Sequence, residues 1–149
     1  IHQRVARAGG LEAFFMVENH HNFAWKEHLA DGQEVVVHRK GATPASPGVL
    51  GIIPGSMGDN GFLVRGLGHA PSLNSASHGA GRLLSRKMAN NSITKHERDA
   101  YLKEHGITLL SGGIDEAPQA YKPIGEVMAA QSDLVETIAR FKPVIVRMA

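Results

Sequence analysis

Cysteine is missing from this sequence altogether, which excludes a disulfide framework and a thiolate cage for a metal. Long apolar runs are missing too, since no stretch approaches the roughly 20 residues needed to cross a bilayer. Nothing at the start has the order of a secretory signal, and a cytoplasmic protein without a membrane span is the expectation. Charge of one sign is scarce. Sixteen Lys and Arg against fourteen Asp and Glu leave a net charge of +2. That is too little for a whole-molecule field to argue for nucleic acid, so phosphate binding would need a local basic stripe. Neither the H-E-x-x-H pattern of zinc hydrolases nor the spacing of a P-loop occurs.

What the chain has in surplus is histidine, nine residues, and glycine, seventeen, much of it between Gly41 and Gly81. Glycine at that density marks backbone that turns sharply or comes close to a ligand. A length of 149 residues with 42% apolar side chains suffices for one ordinary core. The first residue is Ile1 rather than methionine, from which a processed product or a fragment is expected.

Local patterns predict an α+β chain of mixed strands and about three helices, without internal repeat, linker or second domain. The aromatic and apolar stretch Ala13 to Glu18 reads as a buried strand leading into His20-His21-Asn22. Asp31-Gly32 is a turn signal, and the β-branched run Glu34 to His38 reads as the returning strand of a hairpin. From Arg39 to Asn60 the pattern dissolves into Gly, Pro and Ser around the apolar island Gly51-Ile52-Ile53, and Phe62 to Arg65 reads as another short strand. Ser77 is a candidate N-cap for a helix through Leu83, Leu84 and Met88 to about Asn90. Thr94-Lys95-His96-Glu97 has capping-box form and opens a second helix that Gly106 stops after His105. Glu126 to Arg140 reads as the clearest helix, with Val144-Ile145-Val146 a final buried strand.

Four constellations have residues suited to chemistry. In Ser75-Ala76-Ser77-His78-Gly79-Ala80-Gly81-Arg82 a histidine lies between small residues beside the predicted helix start, where main-chain N–H groups favour an anion. Arg82 and Arg86 follow at helical spacing on roughly one face with Ser85, making a stripe suited to a phosphate-rich ligand. The same pattern also fits a plain cap with two solvated arginines. A neutral imidazole is a competent nucleophile near neutral pH, its unperturbed pKa being about 6.5. In His20-His21-Asn22, neighbouring side chains of an extended segment point to opposite sides, so one histidine at most faces a given metal. No local residue completes such a site, and further ligands would have to come from elsewhere. Arg39-Lys40 could bind phosphate or simply be solvated, and Pro54-Gly55-Ser56-Met57-Gly58 is compact and rich in main-chain donors. Asp115 to Pro118, followed by Tyr121-Lys122, reads as a tight turn before the long helix, with capping and packing its simplest role.

Taken in order, H-H-N-F at His20 to Phe23, H-R-K-G-A at His38 to Ala42, G-I-I-P-G-S-M-G at Gly51 to Gly58, S-H-G-A-G-R at Ser77 to Arg82, D-E-A-P-x-A-Y-K at Asp115 to Lys122, and A-A-Q-S-D-L-V at Ala129 to Val135 resemble the RtcB family of RNA ligases. The likeness runs from about Val17 to the end of the chain. It implies an RtcB-like fold in which residues 1–149 are the C-terminal portion, with the N-terminal portion absent. It implies joining of RNA 3′-phosphate or 2′,3′-cyclic phosphate ends to 5′-hydroxyl ends, in tRNA splicing and RNA repair, with GTP and Mn²⁺. The RNA partners would be tRNA halves or broken RNA ends. By the same resemblance His78 would take up the guanylyl group, His21 would be a Mn²⁺ ligand and Asn22 would lie beside the nucleotide. Pro54, Gly55, Ser56 and Met57 would line the guanylate pocket, Gly79, Ala80 and Gly81 would hold its phosphate with His78, and Tyr121 would border the base. Arg82 and Arg86, and after them Arg39 and Lys40, are the candidates for RNA phosphates.

The sequence also departs from the family. The H-L-G-x-G, D-x-G-C-G and G-N-H-F motifs, which supply the remaining metal ligands, do not occur, so the isolated chain is expected to be inactive. Gly61 stands where the family has Ser, and Met148-Ala149 where it has Lys-Gly; methionine offers no hydrogen bond in place of that lysine. A remnant that binds RNA or nucleotide without chemistry is the alternative.

Overall fold

A computed structural model describes residues 2–13 and 15–148. Helix α1, His2–Gly9, is closed by Gly10 at φ 62°, where Leu11 N–H reaches the carbonyl of Ala6 and Gly10 N–H that of Arg7. Only a residue without a Cβ adopts this left-handed cap at little cost. Among the described residues, 11–13 and 15–20 belong to no helix or strand. The buried strand expected over 13–18 is not found; Phe14 lies outside the described residues, and Phe15 and Met16 are exposed. An apolar run becomes a buried strand only if a neighbour supplies ladder hydrogen bonds and cover, and none does so among the described residues.

The hairpin starts later than expected. Strand β1, Asn22–His28, pairs antiparallel with β2, Glu34–Lys40, in the register Asn22 to Lys40 through His28 to Glu34. The Asp31-Gly32 turn closes it, with Gly32 at φ 84° and the Asp31 carboxylate accepting from Gln33 N–H. Inside the irregular glycine-rich stretch lie two further strands, β3, Ala42–Pro44, and β4, Leu50–Pro54. The expected strand at Phe62 is β5, Gly61–Gly66.

Two helix assignments are overturned. Ser77 does not cap a helix; it ends the short strand β6, Ser75–Ser77, which pairs with β3. Helix α2 spans Arg86–Ser92 and is capped by Ser85, whose hydroxyl accepts from Met88 N–H. The long helix over 126–140 is instead α4, Ile124–Ala129, a turn, and strand β8, Val135–Phe141. Val135, Thr137 and Ile138 are β-branched, and β8 gives β5 its second neighbour in a sheet ordered β4-β5-β8. The ladder outweighs a helical spacing of apolar residues. Helix α3, Lys95–Glu104, has the capping box between Thr94 and Glu97, and ends before Gly106 at φ 69°. Strand β7, Thr108–Ser111, pairs parallel with β9, Ile145–Arg147, but Val144 and Ile145 are exposed rather than buried. The expected turn at Asp115 is a pair of 3-10 turns, Ile114–Glu116 and Pro118–Ala120.

One core cluster carries the site. Ile53 of β4, Val64 of β5 and Val135 of β8 meet Ala45, Ala76, Ala80 and Ile124. No helix among the described residues is long and apolar enough to cross a membrane. Gly66 sits against the main chain of Ala45 and Ser46, so a Cβ there would overlap backbone rather than a movable side chain. Gly66→Ala should lower stability by about 2–3 kcal/mol, measured by urea unfolding. Hydrogen bonds from Thr94, main chain first, hold the Glu97 carboxyl below its ordinary pKa. Its contribution is therefore present above the ordinary carboxylate range and lost as pH falls through the lowered value. The thermal midpoints of wild type and Glu97→Gln should differ at neutral pH and converge in acid.

Candidate functional site

The site begins with a ladder that runs one residue past its strands. Beyond the Ala42 and Ser77 pair, His78 N–H donates to Gly41 carbonyl at 3.3 Å. Gly41 N–H in turn donates to His21 carbonyl at 3.0 Å. Gly41 joins β2 to β3 at φ 76°, a conformation that strains any residue with a Cβ. Three chain segments are thereby laid side by side. The imidazoles of His21 and His78 stack with centroids 5.4 Å apart and planes 25° from parallel. Across the hairpin the Asn22 side-chain oxygen meets His38 Nε2 at 3.2 Å.

A residue not singled out from the sequence holds the H-H-N segment in place. Asn19 Nδ2 donates to Thr43 Oγ1 at 3.0 Å, and its Oδ1 accepts from Ile52 N–H at 2.8 Å, tying residue 19 to β3 and β4. No sequence pattern marks it, because a bridging amide is defined by partners remote in the chain.

The glycine-rich segments meet at Pro54. Its carbonyl accepts from Ala80 N–H at 3.2 Å and would lie 3.1 Å from a Cβ on Gly79, so only a small residue fits there easily. Gly55 N–H reaches Asn60 carbonyl, and Ser56 Oγ donates to Asp59 and accepts from Gly58 N–H, so this loop is largely satisfied by itself. Met57 is buried in a small cluster with Leu102 and Ile107, and Met148 packs on the same cluster. At Gly61 a Cβ would run into the ring of Phe141, which therefore occupies the space a serine side chain would need. The surroundings of Gly61 and Met148 are thus apolar.

The basic residues are placed differently from the expectation. In β2 alternate residues face inward, and Arg39 is 2% exposed. Its guanidinium donates to Glu27, Ser75 Oγ and Leu73 carbonyl, and stands over the Trp25 ring. Arg39 is thus a buried partner of Glu27, and contact with a phosphate would require it to leave that carboxylate. Lys40, next in the alternation, is exposed.

Arg82 and Arg86 do not share a helix face, since only Arg86 is helical. Both turn to Asp115 and Glu116. Arg82 donates to Asp115 carbonyl, Leu84 carbonyl and Tyr121 Oη and lies over the Tyr121 ring, while Arg86 pairs with both carboxylates. These hydrogen bonds, from Asp115 first, raise the Arg86 pKa. Tyr121 donates to Glu116, and burial first, then this contact, pushes its phenol above the ordinary value. A phosphate at these arginines would compete with two carboxylates.

Among the described residues no three His, Cys, Asp or Glu side chains converge as a metal site. A cleft of about 400 Å³ opens beside β6, lined by Ser77, Lys122, Glu126, Val127, Gln131 and Leu134. A larger cleft of about 960 Å³ runs between α3 and β7 and includes none of the residues around His78.

The stacked histidines and the glycine-lined backbone around them fall within one matched family region. The family model described as "tRNA-splicing ligase RtcB" matches residues 2–149. The chain is 48% identical over 126 residues to "RNA-splicing ligase RtcB1" of an Escherichia coli strain, covering 85% of this chain and 31% of that protein. It is 43% identical over 145 residues to "RNA-splicing ligase RtcB" of Escherichia coli K12, covering 97% and 35%. With "tRNA-splicing ligase RtcB" of Nanoarchaeum equitans the identity is 40% over 161 residues, covering 92% and 33%. The chain therefore belongs to the RtcB family and spans about one third of the length of these relatives.

Removing one partner of a buried ion pair leaves the other charge uncompensated. Arg39→Ala should destabilise the fold by roughly 3 kcal/mol in urea unfolding, whereas Lys40→Ala should shift it by less than about 0.5 kcal/mol.

Proposed function

We propose that this chain carries the nucleotidyl-accepting histidine of an RNA ligase that joins 3′-phosphate or 2′,3′-cyclic phosphate ends to 5′-hydroxyl ends. The observation that supports this most is the setting of His78, half-buried, stacked on His21 and followed by the Gly79-Ala80-Gly81 backbone. An imidazole nitrogen of His78 attacks the α-phosphorus of GTP; a P–N bond forms, the bond to the bridging oxygen breaks, and pyrophosphate leaves. An oxygen of the RNA 3′-phosphate then attacks the same phosphorus and releases His78. The 5′-hydroxyl finally attacks the activated 3′-phosphorus, and GMP departs as the new phosphodiester forms. Asn22, Pro54 to Met57, Gly79 to Gly81 and Tyr121 are the candidate contacts to the nucleotide, Tyr121 already oriented by Glu116 and Arg82.

Manganese does not fit these residues alone, because among the described residues no three ligand side chains converge at His21. Further ligands, from outside these residues, would be needed to complete a manganese site. Lys40 remains an exposed candidate for RNA, whereas Arg82 and Arg86 reach a phosphate only by leaving Asp115 and Glu116.

The incomplete ligand set gives weight to a second reading, a remnant that binds nucleotide without chemistry. Labelled GTP with Mn²⁺ and the full-length gene product separates the two. An acid-labile adduct that falls to background in His78→Ala is the expected result. A folded protein that binds GTP and forms no adduct would select the second reading.

A further inference from the structure

Strand alternation leaves one main-chain donor beside His78 without a strand to receive it. In the β3–β6 ladder His78 N–H points to Gly41, so Ser77 N–H, one residue earlier, points the other way, off the edge of the sheet. That donor meets the Gln131 side chain, whose Oε1 accepts from it at 2.9 Å across 54 residues of sequence. Gln131 is 4% exposed, and its own carbonyl accepts from Leu134 and Val135 N–H at the turn into β8. Among the described residues its amide nitrogen donates only to Met128 Sδ, at 3.4 Å. A buried amide held this firmly acts as the missing strand on the free edge of β6.

We infer that Gln131 is a positioning residue for His78. Successive peptide groups around the histidine are anchored in alternate directions: Ser77 N–H to Gln131, His78 N–H to Gly41, Ala80 N–H to Pro54. Without the first, the ladder ends at a frayed residue and the His78 ring loses its fixed place against His21. Reaction rates respond steeply to such displacement, on the order of a hundredfold for about 1 Å. The role in catalysis rests on the reading of His78 as nucleophile, whereas the role in placing the ring does not.

The test compares Gln131→Met, which keeps length and removes the acceptor, with Gln131→Glu, which restores an acceptor oxygen. In the 149-residue chain, the ring-proton NOE between His21 and His78 and hydrogen exchange at Ser77 N–H report the geometry. In the full-length gene product, adduct formation from labelled GTP reports the consequence. Gln131→Met should lose the NOE, expose Ser77 N–H and slow adduct formation about tenfold to a hundredfold, with the GTP concentration for half-maximal rate unchanged. Gln131→Glu should recover the NOE and most of the rate. A folded Gln131→Met with the NOE and rate of wild type overturns the inference. If Gln131→Met fails to fold, a folded Gln131→Glu decides: rings in place support it, rings displaced overturn it. If wild type forms no adduct, the nucleophile reading fails, and the NOE still decides the positioning.

Discussion

Three residues of β3 pair with three of β6, and the ladder continues one step to Gly41 and His78. The rest of the candidate site depends on that added step. Gly41 takes a left-handed conformation there, so it accepts from His78 while donating to the segment that carries His21. One residue thus joins the two histidine-bearing segments, which carry the stacked rings. The core under β6, through Ala76 and Ala80, holds the ladder against the β4-β5-β8 sheet.

Three arginines near the site spend their charge within the molecule. Arg39 is enclosed by Glu27 and Trp25, and Arg82 and Arg86 are gathered by the acidic pair of the D-E-A-P segment. Such guanidiniums brace loops: Arg82 fixes the irregular residues after Gly81 against Tyr121, so the turn carrying His78 is held from both sides. The near-neutral net charge agrees with this economy. Under the proposed function, phosphate would be bound here through main-chain donors and an imidazole more than through a positive field.

The places where local patterns and fold disagree share a cause. Val127, Met128, Leu134, Val135 and Ile138 recur at helical intervals, but β5 needs a second neighbour and β8 supplies it. Ser77 precedes an apolar spacing that suits a helix, but Ser77 is paired to Ala42 before any helix can start, and Ser85 takes the cap. Asn19 and Gln131 reach partners 24 and 54 residues away, links that no local spacing encodes. Where the signal was local, as in the Thr94 capping box and the Gly32 turn, pattern and fold coincide.

The sequence alone determined the family, through short motifs whose order and composition are unusual, and with it His78 and His21 as the residues of interest. It also determined the α+β class, the hairpin turn and helix α3, since caps and turns are fixed by atoms within a few residues of one another. Only the tertiary structure decided that His78 follows a strand rather than opening a helix, that Arg39 faces inward, and that Phe141 fills the space beside Gly61. Those outcomes depend on which distant segment supplies a hydrogen bond, a counter-charge or a packing surface, and no local spacing encodes that choice.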